Sequence, residues 1–361
     1  MGALISYVEV RDKYSRLPFA IIEPAECWFE LTFYGVGQFQ VYARATKTAL
    51  AALQNDNYIS LPRKPFIWLI EDVQKKYVAG RGYMISATGR QAKAILGKRI
   101  INKQTQLSGD ITTAVFGLIK SHAGENAGDV RKIDGLTEFT SAVVKSITET
   151  QVSYSNLLSY TDELLQAHEV GADLTITDAA AFRYNLYEGA DRSDTVIFSQ
   201  TYDNLLSSSY TRNSAAFRSY ALIGGQGEGT ERILHEYDSS PSLRGIDRAE
   251  MFVDAKDISS KYRDIDGTEK ELDLTSAAGL ATYKAWLLER AQAEKAKNAL
   301  VETFEGEIDT ANSRYKFGED YNLGDRVRVQ DDILGVYITP RILKFTMRQD
   351  RKYSELVEYG G

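Results

Sequence analysis

The stretch ECWFELTFYGVGQFQVYAR, residues 26–44, alternates large apolar and polar side chains on both sides of Gly35 and Gly37. A period of two suits a strand with one buried and one wetted face, and a helix cannot gather it onto one side. The glycines between the two runs mark a hairpin. Alternation returns at the far end of the chain, in Arg326-Val327-Arg328-Val329 and from Tyr337 through Thr346. A 361-residue chain patterned this way at both ends has two sets of strands to house. We therefore expect an α+β, β-rich fold with two small barrels flanking a mixed middle. Twenty-two tyrosines against six prolines fit half-buried strand positions.

The stretches between fill in the order. ATKTALAALQNDN reads as a short helix, and YISL and FIWLIEDV as strands punctuated by Lys64-Pro65. YMISATG reads as a strand that ends at Gly89, with RQAKAILGKRI as a helical turn or two. DITTAVFGLIKSHAG is a helix capped by Asp110, and YSNLLSYTDELLQAHEVG one capped by Ser155. DLTITD, AFRYNLYEG and TVIFSQ read as strands, and AFRSYALIGGQGEGTERILHEY as two strands around a glycine-rich tip. A long helix is expected from Thr275 to Phe304.

Reactive chemistry is sparse. Gly89 alone stands at the turn after YMISAT, with neither GxGxxG nor GKS/T, so no phosphate-cradling loop is expected. Cys27, the single cysteine, lies beside Trp28 and Phe29 and reads as packed and inert. His122, His168 and His235 have no histidine partner at helical spacing, and no GxSxG is present. Asp264-Ile265-Asp266-Gly267 lacks the ligand spacing of a calcium loop. Asp331-Asp332 and Glu319-Asp320 read as solvated turns. We expect no catalytic residues, no cofactor and no metal. No apolar run is long enough to cross a bilayer, and Met1-Gly2-Ala3-Leu4-Ile5-Ser6 fits a myristoylation pattern only loosely, so no membrane insertion is expected.

The net charge of −7 argues against overall nucleic-acid binding. Yet Val73 to Gly109 holds eight cations and no acid: Lys75, Lys76, Arg81, Arg90, Lys93, Lys98, Arg99 and Lys103. They read as a solvated face or as a partner interface, with nucleic acid a weaker third reading because the strand carries little aromatic interleaving. In the second case they would meet acidic surfaces of a partner, such as Glu302 to Glu307 or Glu319 and Asp320 of a neighbouring copy.

VGQFQVYA, NDNYISL, FIWLIEDV and YMISATGRQAKAILGKRII, followed after a long helix by RYKFGEDYNLGDRVRVQ and VYITPRILKFTM, resemble siphovirus tail proteins of the Gp37-like family. YNLGDRVRV is the most distinctive of these segments. The resemblance implies a baseplate hub similar to the trimeric hub of contractile-tailed phages. Residues 1–104 would form a first β-barrel domain and 105–192 a mixed α/β domain. Residues 193–361 would form a second barrel with an inserted segment and long helix at 256–305. Three copies would present six barrels and so continue a sixfold tail tube. The resemblance also implies its partners: the distal tail protein, the tape-measure protein, and tail-fibre or receptor-binding proteins. DNA would pass through the lumen without specific binding. Because the sequence stops two residues after Tyr359, wall-degrading activity would be expected from another protein. A tail-borne hydrolase and a hexameric tube or adaptor protein are the alternatives.

Overall fold

The computed structural model describes residues 5–263, 268–309, 313–333, 335–350 and 352–360. Asp264 to Gly267 and the first four residues of the myristoylation pattern lie outside them.

Eleven strands share one sheet. Seven come from the N-terminal end: β1 (Val8–Arg11), β2 (Pro18–Ile22), β3 (Glu26–Thr32), β4 (Gln38–Arg44), β5 (Tyr58–Ser60), β6 (Ile67–Val78) and β7 (Gly82–Gln91). Four come from the C-terminal half: β8 (Leu205–Asn213), β9 (Val301–Ile308), β10 (Arg341–Gln349) and β11 (Tyr353–Gly360). Their order is β8-β9-β11-β10-β3-β4-β7-β6-β5-β1-β2. The two halves meet where β3 pairs antiparallel with β10, Lys344 opposite Thr32 and Gln349 opposite Cys27.

The fold is β-rich, as the alternation requires. The two ends do not close into separate barrels, however: among the described residues the sheet stays open, because β3 takes β10 as its neighbour. Cys27, Phe29 and Leu31 of β3 and Phe345 and Met347 of β10 point into one shared core. Over the C-terminal half, a second layer of strands at 197–199, 328–331 and 336–338 closes that core with Phe198 and Val329.

A second core belongs to the middle of the chain. There α2 (Ile111–His122) and α3 (Leu157–Ala167), after the short α1 (Lys47–Ala52), pack on strands at 136–141, 171–176 and 182–187. A third core is inserted between β8 and β9. Strands at 220–224, 234–238 and 250–254 pack on α4 (Ala277–Lys297) through Ile223, Trp286 and Leu287.

Several local expectations are corrected. Asn156, not Ser155, caps α3, its side chain accepting from the Ser159 N–H. The last helix stops at Lys297 rather than Phe304, because Phe304 is needed in the sheet core as part of β9. Pro340 splits the alternating run after Tyr337 into two strands. β7 runs through Gly89 to Gln91 before a 3-10 helix over Ala92–Lys98. Gly89 lies beside a β-bulge of β6, where an added Cβ would come within 1.9 Å of the Leu69 carbonyl oxygen. The residue serves close backbone approach, not phosphate binding.

Candidate functional site

The most extensive organised surface is the outer face of eight consecutive strands, β8 through β6 in spatial order. Alternation that sends Phe29, Val41 and Phe345 inward sends polar side chains outward. On the N-terminal four strands these include Glu26, Trp28, Glu30, Gln40, Tyr42, Ser86, Thr88, Asp72 and Lys76. On the C-terminal four they include Lys344, Thr346, Arg348, Glu358, Glu305, Glu307, Ser207 and Ser209, with Leu356 an exposed apolar exception.

Cross-strand bonds order this face. Trp28 Nε1 donates to Gln40 Oε1 at 3.2 Å, and Gln40 Nε2 donates to Ser86 Oγ at 3.3 Å. Lys344 pairs with Glu358, and Lys76 Nζ stands 5.6 Å over the Tyr42 ring. A shallow groove follows the seam, lined by Trp28, Glu30, Gln40, Thr346, Arg348 and Glu358. Charges of both signs sit close together, with six of the named side chains acidic and three basic, so the face offers no concentrated positive field.

Among the described residues, one margin of this eight-strand run is unpaired and the other is free over half its length. β8 pairs only with β9 and is exposed along most of its length. β6 is bonded on its outer side to β5 and to Asp56 and Asn57 as far as Ile70, and beyond it only to β7. Unpaired strand edges offer rows of free N–H and C=O groups.

The eight cations of the basic segment are dispersed. Lys75 and Lys76 are exposed on the free half of β6. Arg81, at the β6–β7 turn, reaches Glu26 at 2.9 Å. Arg90 grips Glu71 with two bonds, at 2.6 and 2.7 Å. Lys93 is buried beneath α3 and pairs with Asp162 at 2.9 Å, so it is not available to a partner at this surface. Its charge also opposes the effect of burial on nearby Asp173, whose carboxyl burial pushes up to about 7. Lys98 meets Asp56, and Arg99 donates to the Arg131 carbonyl at 2.7 Å. Lys103 is exposed on the middle unit, beside Tyr154 and Arg263. Only Lys75, Lys76, Arg81 and Arg90 therefore belong to the large sheet's exposed strands and turn.

The remaining reactive groups serve packing. Burial pushes the Cys27 thiol up to about 12. His122 is buried without a hydrogen-bond partner, and burial, aided by Arg131 and Lys103, lowers it to about 4. His168 Nε2 meets Glu289 at 2.9 Å, joining α3 to α4. In YNLGDRVRV, Asp325 accepts from the Ala190 and Asn322 N–H groups at 2.7 and 2.9 Å, and Gly324 takes φ +86° against Phe33. That segment locks a turn. Among the described residues no cluster of three His, Cys, Asp or Glu side chains could hold a metal ion. No described helix is long and apolar enough to cross a membrane.

Sequence reasoning missed β8 and β9, and with them one margin of the face. LLSSSYTRN carries no apolar alternation, and VETFEGEI continues the charge texture of the preceding helix.

The fold is shared with tail proteins. A tail protein from Neisseria meningitidis MC58 superposes with a TM-score of 0.60 at 11% identity, covering 98% of this chain and 96% of its own. The 43 kDa tail protein of prophage MuSo2 from Shewanella oneidensis gives 0.57 at 11%, with 98% of both chains covered. Prophage tail protein gp18 from Listeria monocytogenes EGD-e gives 0.55 at 11%, covering 99% and 94%. No curated protein sequence matches the chain. The model of the Siphovirus ReqiPepy6 Gp37-like protein family matches residues 7–358, and the chain belongs to that family of phage tail proteins.

Proposed function

We propose that this protein is the hub of the tail's distal end, a ring of three copies that closes the tail tube. Distal tail, tape-measure and fibre or receptor-binding proteins attach to it, and it opens for genome passage. The observation that carries the reading is the eight-strand run with a packed inner face, a polar outer face, one free margin at β8 and one half-free margin at β6.

Edge-to-edge joining supports the ring. The free half of β6 carries Lys75 and Lys76, and β8 lies against β9 with Glu302, Glu305 and Glu307. β8 itself carries only Arg212, which pairs with Glu302, so the acids near that margin are Glu305 and Glu307 of β9, one strand in, and these favour β6 of one copy meeting β8 of the next. Such a contact is head-to-tail, which makes a closed ring when the rotation closes. Three copies would supply roughly two dozen strands, well above the eight whose interior side chains fill and beyond the sixteen to eighteen that leave an aqueous channel. A wall on which glutamates outnumber cations gives passing phosphates little to grip, since phosphate affinity comes from unneutralised cations. On this reading the polar face lines the channel, and residues 1–104, 105–192 and 193–361 serve as barrel-like, mixed and barrel-like parts of one subunit.

Mass measurement of the purified chain, alone and with its neighbouring tail proteins, tests the reading. A species of three chain masses is expected. Six chain masses would indicate a tube protein, and a monomer even with the other tail proteins present would overturn the ring.

A further inference from the structure

The other end of the sheet has a different character. β2 pairs only with β1, and no other described element hydrogen-bonds to its outer side. Leu17, Phe19 and Ile21 stand out from it with 56%, 53% and 61% of their surface exposed. Tyr14, in the preceding turn, is 73% exposed. No charged residue lies between Leu17 and Ile22. Edge strands are normally guarded by charge, proline or a covering element. β2 has Pro18 at its first position and an irregular register at Phe19, but no charge along its length.

We propose that β2 is an acceptor edge. An extended segment of another tail protein, with apolar side chains at alternate positions, adds to it as one more strand and covers Leu17, Phe19 and Ile21. This rests on the reading of the chain as a tail component.

Area selects the occupant. Side chains of about 150–250 Å² each, roughly half exposed, make an apolar stripe on the order of 400 Å². That is about half of the roughly 800 Å² that each partner gives to a standard interface. A second folded copy pressed on this stripe alone would be undersized. An added strand makes up the difference with main-chain hydrogen bonds, its alternate side chains lying beside Phe19 and Ile21. The site is also held in place: Arg16 Nε donates to the Ala180 carbonyl at 2.6 Å and its guanidinium lies over the Phe182 ring at 5.3 Å, fixing the β1–β2 turn to the middle unit.

Amide hydrogen exchange on the free chain, the isolated oligomer and assembled tails tests this. We expect the Phe19 and Ile21 amides to exchange freely in the first two samples and to slow about 100-fold or more only in tails. Protection already present in the isolated oligomer would make a second copy the occupant and overturn the proposal, as would the absence of protection in tails. The same spectra report the ring separately, through residues 72–78 of β6 and 205–213 of β8, so failure of either idea is visible alone. The double variant Phe19→Lys, Ile21→Lys should keep the wild-type near-UV spectrum and enter tails at least about tenfold less well; undiminished incorporation would overturn the acceptor edge.

Discussion

The four N-terminal strands β3, β4, β7 and β6 and the four C-terminal strands β8, β9, β11 and β10 are made differently and end alike. The first set lies within residues 26–91 as two hairpins, β3–β4 and β6–β7, with α1 and β5 between them. The second brings β8 and β9 together across the whole inserted unit, from Asn213 to Val301. Even so, both send large side chains into one core and polar ones onto one face. Phe29, Phe39 and Trp68 do so on one side and Phe304, Phe345 and Tyr359 on the other. What unites them is the β3–β10 seam rather than any similarity of chain path. A register fixed there by side-chain alternation fixes which face of each half is wet.

The comparison breaks most readily at the core. Trp68 is buried, lies 4.8 Å from the Phe29 ring and donates through Nε1 to the Glu30 carbonyl at 3.0 Å. Trp68→Ala should cost about 3–5 kcal/mol. If the halves share one core, urea unfolding of the variant remains a single transition in which C-terminal tyrosines report the same midpoint. Two separated transitions would show that the halves are independent domains after all.

A smaller effect is expected where the halves meet the middle unit. Arg341 is buried, donates to the Gly324 carbonyl at 2.7 Å and to Glu169 at 2.9 Å, and lies 5.2 Å over the Phe33 ring. Arg341→Ala should cost about 1–3 kcal/mol by leaving the buried Gly324 carbonyl unpaired. A loss no greater than that of an exposed arginine such as Arg212 would mean the clasp contributes nothing.

The two halves also differ in how far the sequence reveals them. ECWFELTFYGVGQFQVYAR announces β3 and β4 because each strand has one buried and one wet face. β8 has almost no buried face, only Leu205 being buried along its length, so Leu206 to Asn213 carries no alternation to read. β9 follows closely on α4, and Glu302, Glu305 and Glu307 look like more of the helix's charged surface until Phe304 and Ile308 are seen in the core. The basic segment was legible as a charge anomaly but not as a site. Its partners Glu26, Glu71, Asp56 and Asp162 lie outside that segment, and three-dimensional pairing is not written in local spacing.

The smallest expected effect is a titration confined to the C-terminal half. Burial raises the Glu355 carboxyl above its ordinary 4.5, against the bond from Tyr353 and the charge of Lys64. The folded state therefore holds this proton to higher pH than the unfolded chain does. Its contribution to stability is full below about 4.5 and declines as pH rises through the raised value. Glu355→Gln should stabilise the protein at pH 7 and change little at pH 4, read from urea midpoints at both. Stabilisation at pH 4 alone would reverse the assignment.

Cysteine cross-linking across the two margins tests the ring most directly. Variants carrying one cysteine among residues 72–76 of β6 and one among 207–211 of β8 are oxidised, with buried Cys27 as the unreactive background. The ring predicts a disulfide at one register, forming covalent dimers and trimers and nothing larger. No cross-link at any register, or a ladder that grows beyond three chains, would contradict it.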